Sequence, residues 1–387
     1  MVAHKSSEYH TYRNIIKWLL IMLGLYPLEK AGLFYRSLPY IHVFLNIGTS
    51  FGMVGFLRAN ITNVVVVIKR LGVLVSFLSV ALKVIVMIIN RNDTKELFIT
   101  LDVYFNNLIN NPRYTKIVTN GMTAFRRLSW TVSILSCLSG IVIIITPVIL
   151  VIYQHKHHVQ PIKFILPNHS IYPWYIEPNG LSYKLHYIFE SMATVSLVAV
   201  TSSVEPLFTL YVVQMIGRLR EMSYCITHFD ETNADSVIRE CIFQHKILLR
   251  CRDLVQTIFG PLILWMVVTN AIILCLGIFQ LSQMKTISAG QAIFFIAYVG
   301  TKMTQTFICG WTGTRLTAES EDYRAAIYAA NWQGNKQHMK SVVIMLSQKP
   351  LTLTACHFST ISVDLFVSVL NTTMSYFFLL QTLQHGE

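Results

Sequence analysis

Seven long apolar stretches run through this 387-residue chain, and they limit its fold more than any other feature. A helix that crosses a membrane needs about 20 predominantly apolar residues. Charged residues make up only 13% of the chain, about half of the roughly 25% typical of soluble domains. The sequence therefore predicts an all-α polytopic membrane protein with seven transmembrane helices. The predicted spans are approximately 37–58, 64–89, 130–153, 185–216, 255–281, 290–313 and 358–383.

Basic residues are distributed unevenly between these spans. The chain has a net charge of +12, and 22 of the 27 Lys and Arg residues outside the spans fall in the N-terminal segment and in every second loop after it. Because Lys and Arg are enriched on the cytoplasmic side, this pattern predicts a cytoplasmic N-terminus and an extracellular C-terminus. We interpret the basic excess as a signature of orientation and of contact with membrane lipid, and we expect no nucleic-acid partner.

The first 36 residues are predicted to form a cytoplasmic segment, 1–36, without a span of its own. Its apolar run Ile15–Leu25 is shorter than a span and contains Lys17, so we expect an interfacial helix rather than a cleaved signal peptide. None of the seven cysteines falls in a predicted external loop. The glycosylation motifs at Asn60 and Asn168 do fall in such loops and are candidates for modification.

Sequence signatures of enzymes are absent from the chain. It contains no H-E-x-x-H, G-x-S-x-G, P-loop or G-x-G-x-x-G motif. His155, His157 and His158, with His169 nearby, resemble a metal-ligand cluster, but no cysteine or paired carboxylate completes a set. We interpret them as a solvated cluster and expect neither enzymatic activity nor a metal or other cofactor.

Two acidic residues lie in the predicted fourth span. Glu205, beside Pro206, could occupy a cavity, a helix break or an inner vestibule, or could pair with a lysine such as Lys83. Glu190 and Lys302 are expected near a wet edge of the bundle. Ionisable groups inside a membrane are candidates for function, and the sequence leaves these alternatives open.

The cytoplasmic stretch 314–350 is rich in alanine and charge, which is typical of helix. Pro350 interrupts the pattern before the last apolar section. We therefore divide the rest of the chain into a bundle of spans one to six (37–313), cytoplasmic anchor helices (314–357), and the seventh span with an extracellular C-terminus (358–387). A peripheral loop over 314–350 is the alternative.

The seventh span carries a polar stripe. Its polar side chains recur largely at steps of three and four residues, which places them on one helix face. Such a face can hold helices together or line a pore, and the pattern alone permits both. The stripe comprises Ser368, Asn371, Thr372, Ser375 and Thr382.

The end of the chain resembles a known family. The segment Lys349–Leu380, KPLTLTACHFSTISVDLFVSVLNTTMSYFFLL, resembles the C-terminal signature of insect odorant receptors, with its K-P-L-x-L-T-A and S-Y-F-x-L-L elements. Gly24 and Pro27 resemble the family's G-x-W-P element, with Tyr26 in place of tryptophan. Seven spans, an internal N-terminus and the chain length agree with this resemblance over the whole sequence.

The resemblance implies a channel. Family members are non-selective cation channels gated by small volatile odorants, located in the plasma membrane of olfactory neuron dendrites. Odorant-specific subunits form heterotetramers with a co-receptor, whose cytoplasmic loop between spans four and five has a long insertion; the corresponding loop here, 217–254, is short, as in odorant-specific subunits. The resemblance implies that the seventh helices surround the pore and that Leu379, Leu383 and Thr382 form its outer gate.

The resemblance also implies an odorant site in the outer half of the bundle, between spans two, three, four and six. Counting inward from the outer ends of these spans gives candidates that are mostly apolar or aromatic, as a volatile ligand requires. They are Leu74, Phe77, Leu78, Ser139, Val142, Thr146, Met192, Ser196, Phe295 and Tyr298. A gustatory-type receptor of the same superfamily and a secondary transporter are the alternative functions.

Overall fold

The computed structural model describes residues 2–28, 31–229, 234–282, 289–330 and 336–385. In this part of the chain almost all regular structure is helical, with one π-helical turn (Phe98–Asp102) between α4 and α5. The helices are α1 (Val2–Met22), α2 (Leu33–Ala59), α3 (Val64–Ile89), α4 (Arg91–Leu97), α5 (Val103–Asn110), α6 (Pro112–Val118), α7 (Met122–Lys156), α8 (Leu181–Thr227), α9 (Ala234–Ser282), α10 (Ala289–Ala329), α11 (Lys336–Ser347) and α12 (Val363–His385). A short antiparallel hairpin joins β1 (Thr354–Ala355) to β2 (Ser359–Thr360).

Seven of these helices correspond to the predicted spans. Within the described residues, α2, α3, α7, α8, α9 and α10 are long and apolar enough to cross a membrane, and α12 contains a shorter apolar stretch, Val363–Leu379. The predicted all-α membrane fold is confirmed. The predicted start of the seventh span at residue 358 is wrong, because residues 359–360 belong to the hairpin and the helix begins at Val363.

Three helices are much longer than a bilayer requires. α8, α9 and α10 have 47, 49 and 41 residues. At 1.5 Å per residue they extend about 60–75 Å, roughly twice the ~30 Å hydrocarbon core. These helices are therefore long enough to continue well beyond a bilayer. In the stretch 314–350, α10 and α11 form most of the described residues, so this stretch is helical rather than a loop.

The N-terminal helix differs from the predicted interfacial helix. α1 begins at Val2, and its buried side chains, including Tyr9 and Ile16, pack in the same core cluster as α8. Arg13 forms an ion pair with Asp102 of the π-helical turn, and Asp102 is 1% exposed. A helix held by a largely buried ion pair packs against the bundle rather than standing alone, and the predicted interfacial position of Ile15–Leu25 relative to the membrane stays a prediction.

The backbone at Gly24 explains why glycine begins the element that resembles G-x-W-P. Gly24 follows α1 with a φ of +71°, in the left-handed region that favours glycine. A Cβ atom here would lie 2.7 Å from both Pro39 Cδ and the Tyr35 carbonyl oxygen of α2. The turn from α1 into α2 therefore needs both the backbone freedom and the small size of glycine.

The segment between the hairpin and α12 crosses α10 at two glycines. Cβ atoms on Gly310 and Gly313 would lie 2.4 Å from the Ser362 carbonyl oxygen and 2.0 Å from the Ile361 carbonyl oxygen. The Ile361 amide also donates to the Leu353 carbonyl at 2.8 Å. This close backbone contact fixes the entry to α12 against α10.

The segment 164–174, between α7 and α8, tucks between α2 and α8. The fully buried Glu190 accepts hydrogen bonds from the Asn168 amide at 2.8 Å and from the Tyr172 hydroxyl at 3.3 Å. The sequence led us to expect Glu190 near a wet edge of the bundle. It is instead buried, and its hydrogen bonds hold this loop. Asn168 is 2% exposed, so its motif is not available for glycosylation in the folded chain.

Candidate functional site

Tyr298 of α10 is the polar centre of the outer bundle. Its hydroxyl donates to the Gly72 carbonyl at 2.7 Å and lies 2.9 Å from the Ser76 hydroxyl, both on α3. The Phe294 ring stacks on the Tyr298 ring with centroids 5.5 Å apart. A sequence-predicted site residue thus joins two of the four helices expected to enclose the ligand.

An apolar cluster lies beside Tyr298. Leu74 and Phe77 of α3 are buried there with Met53 of α2 and Ala193 of α8, and Phe294 of α10 packs against them. The structure therefore brings together α3, α8 and α10 as predicted, and adds α2. Met53 and Phe294 were missed because both are ordinary apolar residues in apolar spans, and no signal in the sequence distinguishes their faces.

The other predicted site residues occupy varied positions. The Ser196 hydroxyl lies 2.9 Å from His42 Nδ1 and 3.0 Å from Asn46 Nδ2, so its polar groups join α8 to α2. The polar residues His42 and Asn46 in an apolar span were the signal for this contact. Ser139 is buried, Val142 and Phe295 are half-buried, and Leu78, Thr146 and Met192 are exposed on the bundle exterior.

A layer of polar side chains lies below this cluster, further along the same helices. The Lys83 ammonium of α3 forms an ion pair with Glu205 of α8. α8 continues as one helix through Pro206, so of the open alternatives for Glu205 the structure supports pairing rather than a helix break. On α9 and α10, the Asn270 amide donates to the Thr306 hydroxyl at 3.0 Å.

His169 covers the outer end of α2. Its ring lies edge-on to Phe56, with centroids 6.3 Å apart. Burial, with a smaller effect of the positive charge of Arg70, lowers the pKa of His169 to about 4. His155, His157 and His158 are instead exposed at the end of α7, as expected for solvated side chains. Within the described residues no group of His, Cys, Asp or Glu has a metal-binding arrangement.

Opposite faces of α12 differ sharply. One face packs on α9 and α10: Val369 is buried, the Thr373 hydroxyl lies 3.4 Å from the Ala271 carbonyl, and Phe366 meets Phe307 edge-on at 5.4 Å. The other face is exposed and carries polar side chains with a few apolar ones. It presents Asp364, Ser368, Asn371, Thr372, Ser375 and Tyr376 together with the apolar Val367, and Met374 and Phe378 are also exposed on α12.

The predicted gate residues lie near the end of α12. Leu379 is 55% exposed, and the exposed Thr382 donates its hydroxyl hydrogen bond to the Leu379 carbonyl at 2.9 Å. Leu383 falls in the same helix, but its side chain lies outside the described residues. The gate therefore stays a prediction, as do the individual odorant contacts.

Comparison with known proteins identifies the family. The family model described as 7tm odorant receptor matches residues 63–374, which is most of the chain. Odorant receptor 13a of Drosophila melanogaster is 22% identical over 287 residues, 68% of either protein. The odorant receptor coreceptor of Anopheles gambiae is 28% identical over 162 residues, 41% of this chain and 34% of the coreceptor.

A solved structure shows the same fold. The insect olfactory receptor OR5 from Machilis hrabei, determined in complex with eugenol, superposes with a TM-score of 0.79 at 15% sequence identity. The match covers 97% of this chain and all of the other. The family match confirms the resemblance to odorant receptors and the expectation that the chain is a receptor and not an enzyme. This chain belongs to the 7tm odorant receptor family and is an odorant receptor subunit.

Proposed function

We propose that this chain is the odorant-binding subunit of a heterotetrameric, non-selective cation channel completed by a coreceptor subunit. The observation that carries the proposal is the exposed polar face of α12. Polar side chains facing lipid are unfavourable, because hydrocarbon offers them no hydrogen-bond partners. A row of them turned away from the chain's own helices instead suits a water-filled pore shared with other subunits.

The comparisons support an odorant-specific subunit rather than a coreceptor. Similarity to odorant receptor 13a extends over 68% of that protein, whereas similarity to the coreceptor from Anopheles gambiae extends over 34% of it. α8 ends at Thr227 and α9 begins at Ala234, so the two helices are joined by six residues. This short connection lacks the long insertion that the family resemblance assigns to coreceptors.

The outer cluster supports a small, mostly apolar ligand. Leu74, Phe77, Met53 and Phe294 provide apolar and aromatic surface, and Tyr298 provides a hydroxyl. Sites for small molecules typically combine such a surface with a few polar groups. The eugenol bound by the Machilis hrabei receptor is consistent with this ligand class. The remaining predicted contacts, including Ser139 and Met192, are proposed on position alone.

α10 is the proposed link between ligand and pore. Its outer half carries Phe294 and Tyr298 at the cluster, and its inner half carries Phe307, Gly310 and Gly313 against α12 and its entry. A ligand opens the channel only if it binds the open state more tightly than the closed state. We infer that ligand binding displaces α10 and, through these contacts, moves α12 so that the ring at Leu379 widens.

Current recording tests this function. The chain is expressed with and without a coreceptor subunit in cells held under voltage clamp and exposed to an odorant panel. We expect odorant-dependent cation current that requires this chain, and we place the protein in the plasma membrane of olfactory neuron dendrites. Odorant uptake without channel current would support a transporter instead.

Alanine variants test the gate. Shortening a side chain in a dewetted constriction widens it, so Leu379→Ala and Leu383→Ala are expected to raise basal current several-fold in the absence of odorant. Met374→Ala, an exposed position of α12 outside the predicted gate and the polar face, is the matched control and should leave basal current unchanged. Unaltered leak and gating in both leucine variants would contradict the gate assignment.

A further inference from the structure

An apolar crevice of about 390 Å³ lies between α1, α7 and α8. It contains none of the residues predicted to bind odorant. Its walls are almost entirely apolar, and the side chains that shape it include Leu19 of α1, Trp130, Cys137 and Ile141 of α7, and Val198 of α8. The crevice is therefore separate from the proposed odorant cluster, which lies between α2, α3, α8 and α10.

The inner end of the crevice is closed by specific contacts. There the Tyr12 hydroxyl of α1 lies 2.9 Å from the Ser129 hydroxyl of α7 and 3.3 Å from the Pro206 carbonyl of α8. Along the crevice, α7 and α8 approach closely at Gly140, where a Cβ atom would lie 2.7 Å from Val198 Cγ2. The crevice continues outward past this contact, so α1, α7 and α8 are held together at its inner end only.

The side of the crevice is open to the surroundings of the bundle. Trp130, Ile141 and Val195 line it and are 41%, 53% and 52% exposed. In a membrane-spanning bundle these surroundings are hydrocarbon. Apolar cavities of about 150 Å³ already exclude water and accept apolar guests. The crevice is larger, so an apolar chain from the bilayer is its natural occupant.

The dimensions and the charge favour an inner-leaflet lipid. The crevice extends along α7 from Ser129 to Ile144, a rise of about 22 Å, so it is longer than the about 15 Å of one leaflet of the hydrocarbon core and has room for an acyl chain. The cytoplasmic end of α7 carries the exposed Arg127, one turn before Trp130 on the same side of the helix. The exposed Trp18 of α1 is a second aromatic residue of the kind found at membrane interfaces.

We propose that this crevice binds one acyl chain of an anionic phospholipid from the inner leaflet, with the lipid headgroup at Arg127. Arg127 attracts the headgroup by charge, and the apolar walls hold the chain. The bound chain fills the space between α7 and α8 and so sets the separation of these two helices. It is a structural lipid, distinct from the odorant.

Photochemical labelling tests the site. The full-length receptor is reconstituted in phosphatidylcholine vesicles containing a minor fraction of phosphatidylserine with a diazirine in one acyl chain, irradiated, and mapped by peptide mass spectrometry. We expect labels concentrated on residues 129–144 of α7 and on residues 194–206 of α8. Phenylalanine at Ser133, inside the crevice, should reduce this labelling several-fold.

A neighbouring position supplies the control. Ile134 lies at the same depth, is 60% exposed and does not line the crevice, so Ile134→Phe should leave the labelling unchanged. Ala199→Leu fills the crevice from α8 and replaces Ser133→Phe if that variant does not fold. Arg127→Gln should reduce labelling by the serine lipid but not by a phosphatidylcholine carrying the same diazirine.

Two results would overturn the proposal. One is labelling spread evenly over exposed apolar residues such as Ile134 and Ile149 and unaffected by filling the crevice. The other is equal labelling by serine and choline lipids in the unaltered chain, which would exclude the anionic headgroup. Neither readout depends on current, so failure here is distinguishable from failure of the proposed channel function.

Discussion

Lys83 and Glu205 place two opposite charges inside the membrane-spanning bundle, with side chains only 9% and 15% exposed. Burying a charge is costly, and pairing offsets this cost only while both partners are present. The sequence suggested this pairing among several alternatives. The choice between them depended on how α3 and α8 pack, because the two residues are 122 positions apart in the chain.

Single and double substitutions test the role of this pair. Glu205→Gln leaves the Lys83 ammonium buried without a counter-charge, which is expected to cost about 3–5 kcal/mol. Replacing both residues by methionine removes both desolvation costs, so the double variant should recover most of the stability of the unaltered chain. Thermal unfolding of the detergent-purified protein, followed by size-exclusion chromatography, measures the stability of both variants. A double variant as unstable as the single one would show that the loss of stability does not come from an unpaired buried charge.

The site illustrates what residue patterns predict and what they do not. Counting from the span ends places Leu74, Phe77 and Tyr298 at the depth of the apolar cluster, because depth in the membrane follows from helical rise, and their contact with odorant stays a prediction. Exposed side chains such as Met192 lie at a suitable depth but on another helix face. Lipid and protein interior are equally apolar, so the hydrophobic pattern of a span does not show which of its faces is buried. Whether a residue points into the bundle or towards lipid is decided by how the helices pack.

Among the helices, the positions of the apolar spans were predictable, whereas the full length of the helices and their packing were not. Each predicted apolar stretch falls largely within one helix, because hydrophobic length decides whether a segment crosses the membrane. The position of α1 depends instead on Arg13 and Asp102, which are 89 residues apart. The loop 164–174 likewise depends on Glu190, whose partners Asn168 and Tyr172 are identified only by the fold.

This loop is predicted to loosen at acidic pH. His169 has a pKa of about 4 in the folded chain, against about 6.5 when solvated. As the pH falls, His169 therefore takes up a proton at a higher pH in the unfolded loop than in the folded loop. The folded loop keeps its full stability above about pH 6.5, and this stability declines as the pH falls towards 4. Hydrogen exchange of residues 164–172 should accelerate across this range.

His169→Asn is the matched control for the loop. Asparagine does not titrate and tolerates the positive φ of 54° at this position. The pH dependence of hydrogen exchange between pH 6.5 and 4 should therefore be much smaller in this variant, after correction for intrinsic exchange rates. An equal pH dependence in both proteins would assign the effect to another group.

At the scale of the whole molecule, the account depends on how α12 is placed among subunits. Its packed face joins α9 and α10, and its polar face is left for other chains or for water. The sequence predicted the polar stripe but could not separate a pore from helix–helix contact. The fold narrows this choice, because the stripe points away from the helices of its own subunit.

Cysteine accessibility shows whether the polar face of α12 lines the pore. Single cysteines at Ser368, Asn371 and Ser375, and at Thr373 on the packed face as control, are exposed to a charged, membrane-impermeant thiol reagent during odorant-evoked current with a coreceptor subunit. We expect the reagent to reduce the current at the three polar-face positions, faster in the presence of odorant, and to have no effect at Thr373. Current that is unaffected at all three polar-face positions, with the channel open, would contradict a pore lined by this face of α12.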